Sequence, residues 1–224
     1  TRDDADAIER ECSAVRAATP VNRITMQVVS SYGNYQTNVL GTRPSYFDIR
    51  RWETTEGRPF NADDLRMLNK VCCIGTTVAR ELFGAVNPVG QTVRINRVAF
   101  DVVGLLESKG VGSDGRDNDD TVLVPFTSLE RYLAGSERSG TLLAATKHGE
   151  DPVVAKQQLR DLLRQRHRVS DEDDDDFRIF DRSLTMQANA EATRTFNTLL
   201  TTIASISLLV GGIGIMNIML VSVT

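Results

Sequence analysis

The 224-residue sequence predicts an α+β body carried on a C-terminal transmembrane helix, and three observations support that fold class. Strand-like and helix-like segments follow one another in mixed order, with no internal repeat. Turn signals sit between short alternating segments, which argues for hairpins in an antiparallel or mixed sheet. From Thr195 to Thr224 there is no Asp, Glu, Lys or Arg, although 25% of the whole chain is charged.

The elements follow in order. Asp3–Ala18 carries Ala5, Ile8, Cys12 and Val15 at helical spacing and stops before Pro20, so a helix is expected there. Ile24, Met26 and Val28 alternate, the chain breaks at Gly33-Asn34, and YQTNVLGT follows as the second strand of a hairpin. PSYFDIRRW reads as a short helix or turn after Pro44, and EGRPF as a loop. Asn61 or Asp63 can cap a helix at ADDLRML. KVCCIG reads as a buried strand, and TTVARELFG as a helix stopped by Gly84. Asn87, Pro88, Gly90 and Gln91 are explained by turn chemistry, without a ligand-binding role. QTVRI and VAFDVVGLL are strands joined through a tight turn at Asn96-Arg97. TVLVPF is a strand ending at Pro125, TSLERYLAG a capped helix ending at Gly135, and GTLLAATK another strand. Pro152 opens a helix with Ala155, Leu159, Leu162 and Leu163 on one face, and FRIFD is a further strand. From about Leu184 one helix runs unbroken into the uncharged run. The outer pieces bracket a central unit from about Gly57 to Gly135, which predicts two subdomains with the centre inserted into the outer one.

Phe196–Val223 exceeds the roughly 20 residues needed to cross the hydrocarbon core, whereas a buried core helix spans about 10–14. Gly211, Gly212 and Gly214 would each cost about 1 kcal/mol in a soluble helix but allow close helix packing in lipid. Ser207, Gly211 and Gly214 form a small-residue stripe suited to that packing, and the amide of Asn217 needs a partner on a neighbouring helix. Its position excludes a signal peptide. The chain begins at Thr1 without an initiator methionine and stops at Thr224 without the usual basic flank, so excision from a longer polypeptide is expected.

Residues that carry chemistry are sparse. The net charge is −4, and six of the 30 acidic residues sit in Asp171–Asp176, so nothing suggests a nucleic-acid surface. That run lacks the alternating ligands and turn glycine of a calcium loop and is expected to be solvated. The same holds for Asp114, Asp117, Asp119 and Asp120. Cys72 and Cys73 are adjacent and Cys12 is distant, so neither a disulfide scaffold nor a metal site is implied. His148 and His167 flank no nucleophile and are expected at the surface. GVGSDG lacks the Gly-Lys-Ser/Thr ending of a phosphate-binding loop. No catalytic, cofactor-binding or metal-ligating residue is expected.

Leu208–Thr224, LLVGGIGIMNIMLVSVT, resembles the second transmembrane helix of MacB-like and FtsX-like ABC transporter permeases. RELFGAVNPVGQTVRINRVAFDVVGLLESKG resembles the inserted unit of their extracytoplasmic domain, and TNVLGTRPSYFDIRRWETTEGRPF and DDTVLVPFTSLERYL match that domain on either side. The resemblance covers nearly the whole chain. It implies a discontinuous porter-like subdomain at 1–56 and 136–183, an inserted Sabre-like subdomain at 57–135, and a stalk with its transmembrane helix at 184–224. It further implies a non-catalytic part of an inner-membrane permease, with its body in the periplasm or extracytoplasmic space. The expected partners are a second permease copy, an ATP-binding domain or subunit that holds ATP and Mg, and a periplasmic adaptor. The expected role is to couple cytoplasmic ATP hydrolysis to efflux or mechanical work outside the membrane. The alternative is an FtsX-like or lipoprotein-releasing permease whose domain regulates an extracytoplasmic protein.

Overall fold

A computed structural model describes residues 2–112, 115–134, 140–170 and 174–222, with side chains at all of these except 2, 182–190, 214, 215 and 217–222. The chain divides into two units, Thr1–Asp175 and Asp176–Thr224. The first is the α+β body; the second contains one long helix.

The body begins with helix α1 (Arg2–Glu11) and the 15-residue strand β1 (Val15–Val29). The expected helix to Ala18 is therefore too long. Helical spacing does continue to Val15, but tertiary partners claim the backbone beyond Cys12. The Ala14 N–H donates to Gln158 Oε1 at 3.0 Å and the Ala18 N–H to Glu9 Oε1 at 2.8 Å. Pro20 also restricts the residue before it to extended conformations.

The hairpin forms as expected: β2 (Asn34–Thr42) pairs antiparallel with β1 from Asn22↔Gly41 to Val29↔Asn34. Next come α2 (Ser45–Arg50), β3 (Thr54–Gly57) and α3 (Ala62–Arg66). Strand β3 falls partly in the expected loop. Its sequence has no apolar alternation, and it is held by backbone pairing to Leu105 and Leu106 and by Trp52 Nε1–H, which donates to the Glu107 carbonyl at 2.7 Å. Of the two candidate caps, Asn61 is the one used. Its Oδ1 accepts from the Asp63 and Asp64 N–H groups, and Asp64 reaches back to the Asn61 N–H, which completes a capping box.

Strand β4 (Val71–Ile74) leads into α4 (Thr76–Phe83), which Gly84 stops at φ 60°. Strands β5 (Thr92–Ile95) and β6 (Val98–Leu106) are joined through Asn96 and Arg97, both with positive φ, as a two-residue hairpin turn demands. Strand β7 (Thr121–Pro125) runs straight into α5 (Phe126–Tyr132). The expected side-chain cap of α5 is absent, because Pro125 itself occupies the cap position. Strand β8 (Thr141–Thr146) and α6 (Pro152–His167), capped by Asp151, complete the body. Leu162 and Leu163 of α6 are buried, whereas Leu159 is only half-buried.

The strands pair in the order β2-β7-β4-β6-β5-β1-β8, with β3 on β6. Because β1 also pairs with β2, the path returns on itself. The pairs β2–β7 and β4–β6 are parallel and the others antiparallel. The central strands are buried on both faces. One face joins Val39, Cys72, Val122 and Val124 to Val78, Leu82 and Phe83 of α4. The other joins Leu40, Cys73 and Leu123 to Phe47, Trp52 and Phe60. At the other end of the sheet, β8 pairs with the first half of β1, and α1 is tied to α6 by Arg166, whose Nε lies 2.8 Å from buried Asp4.

The second unit contains α7 (Arg182–Ser222), 41 residues without a break. The expected strand at FRIFD does not form: residues 177–181 pair with no strand among the described residues. Phe180 is exposed, so this stretch lacks the covered face that would hold it as a strand.

Asp64 offers a test of how the body is held. Burial raises its pKa, but hydrogen bonds from Arg58, Asn69 and the Asn61 N–H outweigh that and lower it from 3.8 to about 2. The group is depressed on folding, so its contribution is present above pH 4 and is lost as pH falls toward 2, to the extent of about 2 kcal/mol. Comparing urea midpoints of the wild type and Asp64→Asn between pH 5 and pH 2 checks this. The wild type should lose the excess stability over that window, and the variant should lack it throughout.

Candidate functional site

Helix α7 is the first candidate. Among the described residues, Glu191–Ile213 is long and apolar enough to cross a membrane, with a mean hydropathy of 1.6. Phe196, Leu199, Leu200, Ile203, Ile206, Leu208, Leu209 and Val210 are all exposed. That much contiguous apolar surface requires a lipid or protein environment. Ser207, Gly211 and Gly214 fall within an arc of about 60° on the helix, and Asn217 lies about 60° further round. A Cβ added at Gly211 or Gly212 would meet nothing within 4 Å. The surroundings of Gly214 and Asn217 lie outside the described side chains.

The sequence reading missed a second property of this helix. The hydroxyls of Thr195, Thr198, Thr201, Thr202 and Ser205 each donate to the carbonyl four residues earlier, at 2.8–3.0 Å. Each hydroxyl is thus satisfied within its own helix, as an apolar solvent requires. The signal was visible as a run of Ser and Thr at helical spacing.

The acidic loop before β7 is not the solvated segment expected. Asp119 is buried and accepts from the Ser108 hydroxyl, the Lys109 N–H at 2.8 Å, the Gly110 N–H at 3.1 Å and the Thr76 hydroxyl at 3.1 Å. Burial raises the Asp119 pKa, and these four donors more than reverse it, leaving the carboxyl below the usual range. Asp117 accepts from Thr77 at 2.7 Å and Asp120 from Thr37 at 2.6 Å. Asp114 lies outside the described residues. The three placed acids therefore pin the loop to α4 and β2. In the second acidic run, residues 171–173 lie outside the described residues, and Asp175 bridges Arg160 and Arg164 at 2.8 and 2.5 Å. That carboxylate is tied to α6 and is not simply solvated, as the sequence suggests.

The remaining reactive groups are placed as structural ones. Cys72 and Cys73 are buried, which pushes the Cys72 thiol far up and that of Cys73 to about 12. A thiol so displaced is no nucleophile near neutral pH. His148 and His167 are exposed. Among the described residues, no three His, Cys, Asp or Glu side chains converge as a metal site. Asn87 accepts from the Val89 N–H at 2.9 Å and so shapes the turn around Pro88, as expected. An open cleft of about 450 Å³ lies where β1 and β5 part, lined by Met26, Gln27, Val29, Arg94, Asn96 and Arg97. The sequence marks Met26 only as a strand position and Asn96-Arg97 only as a turn, and shows no cleft, because the strands that form it come from distant segments.

Residues 1–162 match the family model of the MacB-like periplasmic core domain. The chain belongs to that family. The MacB-like domain here is similar to a macrolide export ATP-binding/permease protein MacB of Bdellovibrio bacteriovorus, at 37% identity over 99% of this chain and 34% of the relative. It is similar to another of that name in Chlorobium luteolum, at 42% identity over 99% of this chain and 33% of the relative. The chain thus spans about a third of the length of these relatives. In fold it resembles the periplasmic region of MacB from Actinobacillus actinomycetemcomitans, with a TM-score of 0.70 at 22% identity over 84% of this chain and 81% of that one. It also resembles the extracellular domain of the noncanonic ABC-type transporter YknZ, with a TM-score of 0.64 at 18% identity over 76% of this chain and 85% of that one. The resemblance read from the sequence therefore holds, and so does the α+β class.

The Asp119 network of this MacB-like domain can be tested directly. Asp119→Ala leaves four donors without their acceptor, which should cost about 2–4 kcal/mol. Denaturant unfolding measures the loss, and amide exchange at Lys109 and Gly110 should accelerate. Unchanged exchange would mean that the loop is held by other contacts.

Proposed function

We propose that this chain is the extracytoplasmic body and second transmembrane helix of an ABC permease that exports solutes or does mechanical work outside the inner membrane. The single observation that carries this reading is α7. One unbroken 41-residue helix joins the membrane-competent stretch to the segment that follows the body. A continuous helix transmits displacement along its axis, so cytoplasmic ATP hydrolysis would reach the body mechanically. ATP and Mg would be held by a separate ATP-binding domain or subunit. The stripe of Ser207, Gly211 and Gly214, with Asn217, would pack against other permease helices, and a second permease copy would complete the unit. The body would dock a periplasmic adaptor protein and would itself divide into the porter-like and Sabre-like subdomains expected from the sequence. Relatives named for macrolide export support the export reading.

Sidedness is tested by cysteine labelling. Val111 is 69% exposed, and all three native cysteines are buried and will stay silent. In cells with a permeabilised outer membrane, Val111→Cys should react with a membrane-impermeant maleimide. Labelling only after lysis would place the body in the cytoplasm.

Transmission is tested at Ala192, within α7. Ala192→Pro removes one helical hydrogen bond and clashes with the preceding turn, at about 3 kcal/mol or more. In the full-length permease, ATPase activity should persist while export falls toward that of cells lacking the permease. Ala192→Ser should be nearly silent. Full export by the proline variant would show that the body is a passive platform.

A further inference from the structure

Strand β1 has an open edge. From Asn22 to Gln27 it pairs with β2 on one side. On its other side, β8 ends its pairing at Val21 and β5 begins at Val28, and no described strand lies between. The gap is six residues, about 20 Å of strand at 3.4 Å per residue, the length of an ordinary β-strand. One end of it opens into the cleft where Met26, Gln27 and Val29 face Arg94, Asn96 and Arg97.

Three guanidinium groups belong to the residues of this edge and its cleft. Arg23, Arg94 and Arg97 are exposed, and none is paired with a carboxylate among the described residues. Elsewhere on the body, Arg43, Arg58, Arg160, Arg164 and Arg166 each hold an Asp. Val29 and partly buried Met26 add apolar surface beside the guanidinium groups.

We propose that the β1 edge and its adjoining cleft receive an extended, acidic segment of an extracytoplasmic partner protein, added as a strand alongside Arg23–Gln27, where Arg23, Thr25 and Gln27 are exposed. Backbone hydrogen bonds along the edge supply affinity, and carboxylates meeting Arg94 and Arg97 set register. A second copy of this chain is a poor occupant, since it would bring its own exposed Arg23, Arg94 and Arg97 against an edge that already carries these three cations. A free small anion would fill the cleft but leave the edge amides unused. The inference rests on the docking role proposed above and names the chemistry of its partner.

The test uses the 224-residue chain in lipid nanodiscs and a fluorescein-labelled Val-Glu-Val-Glu-Val-Glu peptide, read by anisotropy. Saturable binding is expected, weakened at least about tenfold by Arg94→Gln with Arg97→Gln, since each replacement removes a charge-assisted hydrogen bond. Arg23→Glu should weaken it as well, and serves as the second variant should the double one melt early. Replacing Glu by Gln in the peptide should reduce binding similarly. Methylating one alternate set of peptide amides should abolish binding while the other set is tolerated, because an added strand uses only alternate amides toward its neighbour. The proposal is overturned if the wild type shows no saturation, if properly folded variants bind equally, or if both methylated peptides bind. Displacement of the peptide by glutarate at concentrations equal to those of unlabelled peptide also overturns it, in favour of a free small anion. The assay contains no ATPase, adaptor or transport, so its failure leaves the docking role standing, and failure of export coupling leaves the peptide result intact.

Discussion

One strand sets the layout of the body. β1 is 15 residues long and serves three partners in turn: β8 along its first half, β2 along its second, and β5 at its last two positions. The segments it joins are far apart in sequence, so none of these pairings is local except the hairpin with β2. The chain must close large loops before β1 gains its neighbours, and each closure costs entropy that only the burial of the paired strands recovers. The two-sided burial of β4 and β7 supplies much of that recovery, because each of these strands contributes side chains to both hydrophobic clusters. A strand shared in this way also leaves a stretch where one neighbour has ended and the next has not begun.

Local chemistry was legible where the decision is made within a few residues. Asn96-Arg97 gave the β5–β6 turn, Asn61 gave a helix cap, Pro152 gave a helix start, and Gly84 gave a helix stop. What the sequence could not show is competition between a local preference and a distant partner. Val15 continues the helical period of α1, yet Gln158, more than a hundred residues away, takes the Ala14 amide. FRIFD has the composition of a strand and no strand beside it among the described residues. Thr54–Gly57 has neither apolar residues nor alternation, and is a strand because β6 pairs with it. Acidic loops were misread for the same reason: carboxylates at Asp117, Asp119 and Asp120 look solvent-loving in sequence, and their donors come from α4, β2 and the far arm of the same loop.

The candidate sites divide along similar lines. The apolar run and its small-residue stripe could be read directly, because membrane compatibility is a property of composition and helical spacing. The hydroxyl ladder of Thr195 to Ser205 was also there to be read, since bonding four residues back requires only the helix itself. The basic cleft was not, because Val29 and Arg94 become neighbours only through strand register. Gly75 belongs with the cleft in this respect. Nothing in the neighbouring sequence signals a need for glycine, but a Cβ there would lie 2.1 Å from the Asp119 carbonyl oxygen, so the buried loop requires a bare backbone at the start of α4.

The vicinal cysteines have a consequence for where this domain is able to live. A periplasm is an oxidising compartment, in which accessible thiols are drawn into disulfides. Adjacent residues on a strand point to opposite faces of the sheet, and Cys72 and Cys73 accordingly lie in the two separate hydrophobic clusters. Neither sulfur can swing round to meet the other without breaking β4 out of the sheet. Disulfide exchange also needs a thiolate, and burial suppresses that form at both sites. The pair is thus insulated from oxidants by its place in the sheet. A body built this way keeps its cysteines free of covalent cross-links even in surroundings that favour them.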